Sequence, residues 1–285
     1  LYRDRTSNLA MEHDRDSEVR AVCEASDVVI AVVGLDATLE GEEGDTGNEY
    51  GSGDKPNLNL PGLQPDIIRI AKESGKPVIV VLLAGSAMAL SWEDEHVDAI
   101  LDGFYPGAQG GAAIAEILFG GANPEGKLPI TFYQTTEELP EFTDYAMKGR
   151  TYRYMENEAL YPFGYGLSYT TYAYGNLECV KPFDAQDGIT LQVTVTNTGD
   201  REGTETLQVY VKAKREGTPN PQLKYVKKIT LKPGESVTEE IHLSPEAFML
   251  YDEKGNFTLE KGAYDIFVGG CQPDARSAAL TGNAP

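Results

Sequence analysis

The chain has 285 residues, among them 45 Asp and Glu against 24 Lys and Arg, for a net charge of −21. A field of that sign repels nucleic acid and anionic membrane, so neither is expected as a partner, while a neutral ligand such as a sugar meets no such barrier. The length suits two domains, each able to bury a core, and no apolar run approaches a membrane span.

The sequence opens at Leu1 without methionine, on the polar, connector-like stretch Leu1 to Ala10. One piece of a longer polypeptide is therefore expected. No secretory signal pattern is present, and the compartment, cytoplasmic or secreted, stays open. Asp16 to Ala25 has helical spacing, with Val19, Val22 and Cys23 on one face. Val28 to Val33 is apolar without alternation, which predicts a strand covered on both faces in a parallel sheet.

An acidic loop follows. Leu39 to Gly62 holds six carboxylates, one lysine and five glycines ahead of its closing Pro61-Gly62. Leu63 to Ser74 is then helical, with Ile67, Ile68, Ile70 and Ala71 inward, and Gly75 stops it. Val78 to Leu83 reads as a second buried strand, and His96 to Phe104 contains a third, shorter one. Gly110 to Phe119 is a helix of small residues that Gly120-Gly121 ends. Strand and helix in alternation make an α/β layer architecture.

Pro124 to Arg150 is mostly irregular and is expected to wrap the first domain. From about Glu178 the period changes to two. Ile189, Leu191, Val193 and Val195 alternate with Thr190, Gln192, Thr194 and Thr196 up to the turn Asn197 to Asp200. Leu207, Val209 and Val211 repeat the pattern, as do Val237, Ile241 and Leu243 after the turn at Lys232 to Glu235, and Gly262 to Val268 closes the set. Such short alternating strands predict an antiparallel β-sandwich. The expected organisation is an α/β domain over 1–132, a wrapping linker over 133–177 and an all-β domain over 178–285.

In open parallel sheets ligands bind outside the carboxyl ends of the strands. Topology alone therefore puts the acidic loop at the ligand edge, together with Ala84 to Met88 and Tyr105 to Gly111. The last of these is Gly-rich but lacks a Walker lysine, and a tight turn before a helix is the expected reading. Crowded carboxylates raise one another's pKa, so one of Glu40, Glu42 and Glu43 can stay protonated near neutrality and serve as an acid. Glycoside cleavage needs such an acid on the leaving oxygen and a second carboxylate opposite. A solvated loop without a chemical role is the competing reading from spacing alone.

Neither metal nor other cofactor is expected. Asp45 to Glu49 only faintly approximates a calcium loop, and His13, His96 and His242 form no pair with ligand spacing. Cys23, Cys179 and Cys271 lie far apart without a CxxC, so zinc is not expected and at most one disulfide could form; buried free thiols are expected. Trp92 and the aromatic run at 161–172 are expected to pack, with sugar stacking on Trp92 the rival.

The residues then become recognisable in combination: Gly34-Leu-Asp36 with Glu40-Gly-Glu42, Gly53-Asp-Lys55, Leu60-Pro-Gly-Leu-Gln64, Tyr105-Pro-Gly107, Asn123 to Pro129, Met147 to Tyr154, and Tyr161 to Tyr169. From about Asp27 to Gly270 the chain resembles the carboxyl-terminal part of glycoside hydrolase family 3, the β-glucosidase and β-xylosidase family. The resemblance implies an (α/β)6 sandwich with a mainly parallel sheet, followed by a fibronectin type III-like domain. It implies a retaining, exo-acting β-glycosidase, in first place a β-glucosidase, acting on terminal sugars of an oligosaccharide or aryl glycoside. Carried over by position, Glu42 is the general acid/base, and Asp54 and Lys55 line the sugar site.

Three departures stand out. Glu43 is an extra adjacent carboxylate, Lys55 replaces the usual arginine and loses its bidentate fork, and Ala108-Gln109 replaces the commoner Gln-Glu. In the family the nucleophilic aspartate lies on an amino-terminal (β/α)8 barrel. That barrel is expected from the same gene or another chain, since 285 residues hold no such domain beside the two read here. The first strands of the sandwich domain are also expected to lie upstream of Arg15. A non-catalytic carbohydrate-binding or scaffold fragment is the alternative, and homo-oligomerisation is left open.

Overall fold

The computed structural model describes residues 16–40 and 55–282. They fall into two compact units, one running to Glu116 with Phe132–Leu139 added, the other joining Ile117–Thr131 to Pro140 onward.

The first unit is α/β. Its helix α1 (Asp16–Glu24) turns Cys23 onto Ala71 and Val78, with Val19 packed alongside. Strand β1 (Val29–Gly34) is followed by the short helix α2 (Ala37–Glu40), then by α3 (Gln64–Glu73), whose buried face is Ile68, Ile70 and Ala71. Pro65 sits in the first turn of α3, where a missing N–H costs nothing, and Gly75 follows its end at φ +72. Strand β2 (Val78–Leu83), helix α4 (Ser91–His96), strand β3 (Ala99–Asp102) and helix α5 (Gly110–Leu118) complete the series. The strands pair in the order β1-β2-β3, all parallel.

Two expectations change here. β2 has no exposed residue, with Val78, Val80, Val81 and Leu82 buried, but β1 is covered on one face only: Ala31 and Val33 are buried, while Ile30 and Val32 are 44% and 61% exposed. β1 pairs only with β2 among the described residues, so its uniform apolar composition reflects a second face that these residues leave bare. Val22 likewise points outward from α1, although its spacing groups it with Val19 and Cys23.

Gly34 closes β1 at φ +130, and a Cβ there would stand 2.1 Å from the Leu83 carbonyl oxygen. The amide of Gln64 locks the same spot, accepting from the Gly34 N–H at 2.7 Å and donating to its carbonyl at 2.9 Å. Gly34→Ala forces both a left-handed backbone and a clash with a neighbouring strand. It is expected to cost about 3 kcal/mol or more and to lower Tm by about 6–12 °C, which a thermal melt checks.

The second unit is a β-sandwich carrying a wrapping segment with the one-turn helix α6 (Thr151–Tyr154). Strands β4 (Tyr172–Asp184), β5 (Gly188–Asn197) and β8 (Ser236–Leu243) form one antiparallel sheet in the order β4-β5-β8. Strands β6 (Gly203–Ala213), β7 (Gln222–Leu231) and β11 (Tyr264–Gly269) form the other, ordered β11-β6-β7. The small hairpin β9 (Leu250–Tyr251) with β10 (Phe257–Thr258) lies between β8 and β11 in the chain, and helix α7 (Ala275–Thr281) ends it. The alternation works as read: Leu191, Val193, Val195, Leu207, Val209, Val211, Ile241 and Leu243 share one core. β4 starts at Tyr172, upstream of the position where the sequence turns to period two.

β6 departs from its pattern. Thr206, Gln208 and Tyr210 are also buried, because the wrapping segment covers that face. Gln208 donates to the carbonyls of Gly164 and Gly270 at 3.1 and 2.7 Å and accepts from Tyr210 at 2.6 Å, so the buried amide is satisfied. Tyr152 meets Tyr210 edge-on and stacks on Phe163. Cys23 and Cys271 are buried thiols, but Cys179 is exposed on β4, contrary to the burial expected of all three; none is bonded to another.

Candidate active site

Three loops leave the carboxyl ends of β1, β2 and β3, and the polar groups of the first unit converge there. After Gly34 the chain turns into α2, whose start is capped by Asp36: its carboxylate accepts from the Leu39 N–H at 3.1 Å, and its carbonyl from the Glu40 N–H at 2.9 Å. Glu40 is thereby presented at the end of a single helical turn. Its carboxylate is gripped from both neighbouring loops, by the Ser86 hydroxyl at 2.9 Å and by the Tyr105 hydroxyl.

The loop after β3 is shaped to deliver Tyr105. Phe104 lies in the left-handed region at φ +49, a conformation costly for a bulky residue. The Asp102 carboxylate accepts from its N–H at 3.0 Å and so holds the bend. Burial pushes the Asp102 carboxyl above the ordinary range, against that hydrogen bond. Across the gap Gly85 is without a side chain, and a Cβ there would stand 2.5 Å from the Tyr105 ring. Burial first, then the bond to Glu40, push the Tyr105 hydroxyl up to about 12.

Of the residues carried over by position, Glu42 and Asp54, together with the neighbour Glu43, lie outside the described residues. Lys55 is described. Its amine reaches Met88 Sδ at 3.1 Å and the Ala87 carbonyl at 3.4 Å. Burial lowers its pKa, and the nearby Glu40 carboxylate opposes that shift. The chain behind it is hooked down where the Leu58 N–H donates to Thr136 and the Ala89 N–H to the Leu58 carbonyl.

Trp92 packs. Its ring stacks on His96 one turn along α4, with centroids 4.3 Å apart, and the Arg69 guanidinium lies 5.5 Å from its centroid. Tyr161 and Tyr172 are buried, and Tyr161 stacks on Tyr165. Among the described residues no group of three metal-ligating side chains is found, and no helix is long and apolar enough to cross a membrane.

Nothing in the local sequence marks Ser86 and Tyr105 as site residues, although both stand in loops that topology assigns to the ligand edge. The signal lay in their position after β2 and β3. Their common partner, Glu40, is 46 and 65 residues away along the chain.

The sequence of residues 3–169, more than half of the chain, matches the glycosyl hydrolase family 3 C-terminal domain. The chain belongs to glycosyl hydrolase family 3. Residues 205–272 of this family 3 chain match the fibronectin type III-like domain, in agreement with the sandwich built from β4 to β11. It is similar to a xylan 1,4-β-xylosidase of Xylanibacter ruminicola, 41% identical over 258 residues that cover 89% of this chain and 30% of that protein. It is similar also to a periplasmic β-glucosidase of Salmonella typhimurium, 38% identical over 89% of this chain and 34% of that one. Among solved structures, a β-glucosidase from Erythrobacter marinus superposes with a TM-score of 0.78 at 34% identity, over 91% of this chain and 35% of that one. The family 3 chain thus spans about a third of the length of these relatives.

Proposed function

We propose that this chain is the carboxyl-terminal portion of a retaining, exo-acting β-glycosidase, and that it supplies the general acid/base while a (β/α)8 barrel from the same gene or a partner chain supplies the nucleophile. The observation that carries the reading is the convergence of Glu40, Ser86, Tyr105 and Lys55 at the carboxyl edge of the sheet, where the acidic loop leaves and returns. In this mechanism the barrel aspartate attacks the anomeric carbon as the bond to the leaving oxygen breaks. Glu42 gives that oxygen its proton and then takes one from the water that releases the sugar. Asp54 and Lys55 contact the sugar.

A β-glucosidase is the first reading, supported by the relative and the solved structure so named. The 41% identity to a protein named xylan 1,4-β-xylosidase favours β-xylosidase as the second. Lys55 in place of arginine offers one donor point where a fork would offer two.

The test is turnover of p-nitrophenyl β-glucoside and β-xyloside by the full-length protein, with proton NMR of the first sugar released. The β-anomer is expected first, from whichever glycoside turns over faster. An α-anomer would exclude retention. No turnover of either glycoside, or a native protein no longer than these 285 residues, would favour the scaffold alternative.

A further inference from the structure

Glu40 is where the acidic loop is anchored. It is the last residue of α2, its backbone N–H is held by Asp36, and its carboxylate oxygens are taken separately, Oε1 by Ser86 and Oε2 by Tyr105. The two hydroxyls come from different loops, so together they fix the position of the carboxylate and its approach. The second donor is itself constrained: Phe104 is bent into the left-handed region, Asp102 holds the bend, and Gly85 leaves just enough room for the Tyr105 ring. A solvated acidic side chain needs none of this. The groups facing Glu40 are Ser86 from the β2 loop, Tyr105 from the β3 loop and Lys55 from the returning chain, with Asp36 on its own turn.

Two residues of chain span at most about 7 Å. Glu42 follows Glu40 by two residues in the sequence, so whatever holds Glu40 bears on Glu42 through that short length of chain. We infer that the Ser86–Glu40–Tyr105 clamp is a positioning device that sets where the proton donor of the acidic loop stands. The inference rests on the reading of Glu42 given above. Glu40, Ser86 and Tyr105 act through Glu42 and need not touch the sugar. Small displacements of a proton donor cost rate steeply, about a hundredfold for 1 Å in unfavourable cases.

The experiment compares two glycosides of the preferred sugar in the full-length protein: phenyl, a poor leaving group that needs its proton, and 2,4-dinitrophenyl, a good one that does not. Tyr105→Phe is expected to lower kcat/KM on the phenyl glycoside about tenfold and on the dinitrophenyl glycoside less than about threefold, with Tm kept. Ser86→Ala should act in the same direction and more weakly, and it stands in if Tyr105→Phe fails to fold. Glu40→Ala should discriminate more strongly than either. Glu40→Gln, whose amide still accepts one hydroxyl, should recover part of the loss on the phenyl glycoside alone.

Glu42→Ala is measured in parallel. If it separates the two leaving groups while the clamp variants lose both activities equally, or neither, the positioning inference is overturned and the acid/base reading stands. If Glu42→Ala shows no leaving-group dependence, the reading of the site fails and the inference fails with it.

Discussion

If Glu42 is the general acid/base, as proposed, Glu42→Ala in the full-length protein is expected to cut kcat/KM for a phenyl glycoside by about 10²–10⁴-fold, the range a positioned general acid contributes. The effect on a 2,4-dinitrophenyl glycoside should be far smaller, because that leaving group departs unprotonated. Deglycosylation then becomes limiting, since the same residue must activate water, and added azide should restore turnover by intercepting the glycosyl-enzyme as a glycosyl azide. The alkaline limb of the pH–rate profile should flatten as well, since that limb reports loss of the acid's proton. Glu43→Ala belongs in the same series because two glutamates stand together here. If azide rescue and leaving-group dependence appear in Glu43→Ala and not in Glu42→Ala, the acid/base is one residue further on.

The second large effect is on stability, in the sandwich unit. Glu205 is 4% exposed on β6 and accepts from the Tyr174 hydroxyl at 3.0 Å. The Lys127 amine stands 3.9 Å from the same carboxylate and donates to the Gly166 carbonyl at 2.7 Å. Burial raises the Glu205 carboxyl above its ordinary range, and Lys127 and then Tyr174 pull it back. Lys127→Met removes the largest opposing influence and leaves a buried carboxylate without its cation. Breaking a buried pair in this way costs about 3–5 kcal/mol, and the Tm should fall by about 6–20 °C at pH 8.

The sign of the pH dependence follows from linkage. In the variant the folded-state pKa of Glu205 rises further above the unfolded value, so between the two the folded protein binds the extra proton. Stability therefore falls as pH rises through that window, and the penalty is small at about pH 4 and below, where Glu205 is mostly protonated in both states. The double variant Lys127→Met with Glu205→Gln, which carries no charge at either position, should recover most of the loss. A penalty equal at pH 4 and pH 8 would count against an unpaired carboxylate as its cause.

The sequence by itself determined what depends on neighbours in the chain. The period of two in β5, β6 and β8 fixes which residues enter the sandwich core, because successive side chains on a strand face opposite ways. The uninterrupted apolar runs of β1 and β2 mark a parallel sheet, and sheet topology then names the edge from which the chain leaves β1 toward the acidic loop. The motifs from Gly34 to Gln64 carry the family, and one of their spacings has a visible cause: Gln64 closes on the backbone of Gly34 through two hydrogen bonds.

Tertiary structure alone decided what depends on residues distant in the chain. Period cannot say whether an apolar strand leaves a face exposed, as β1 does here, or leaves none exposed, as β2 does, because that depends on which elements lie over it. Nor can it say that Gln208 and Tyr210 are buried on the outer side of β6, since their partners sit in a wrapping segment dozens of residues earlier. Lys127 and Glu205, and Glu40 with Ser86 and Tyr105, are ordinary polar residues in the sequence. The ion pair forms because burial removes the water that would otherwise satisfy Glu205 and Lys127, and the clamp forms because the fold brings three loops to one edge of the sheet.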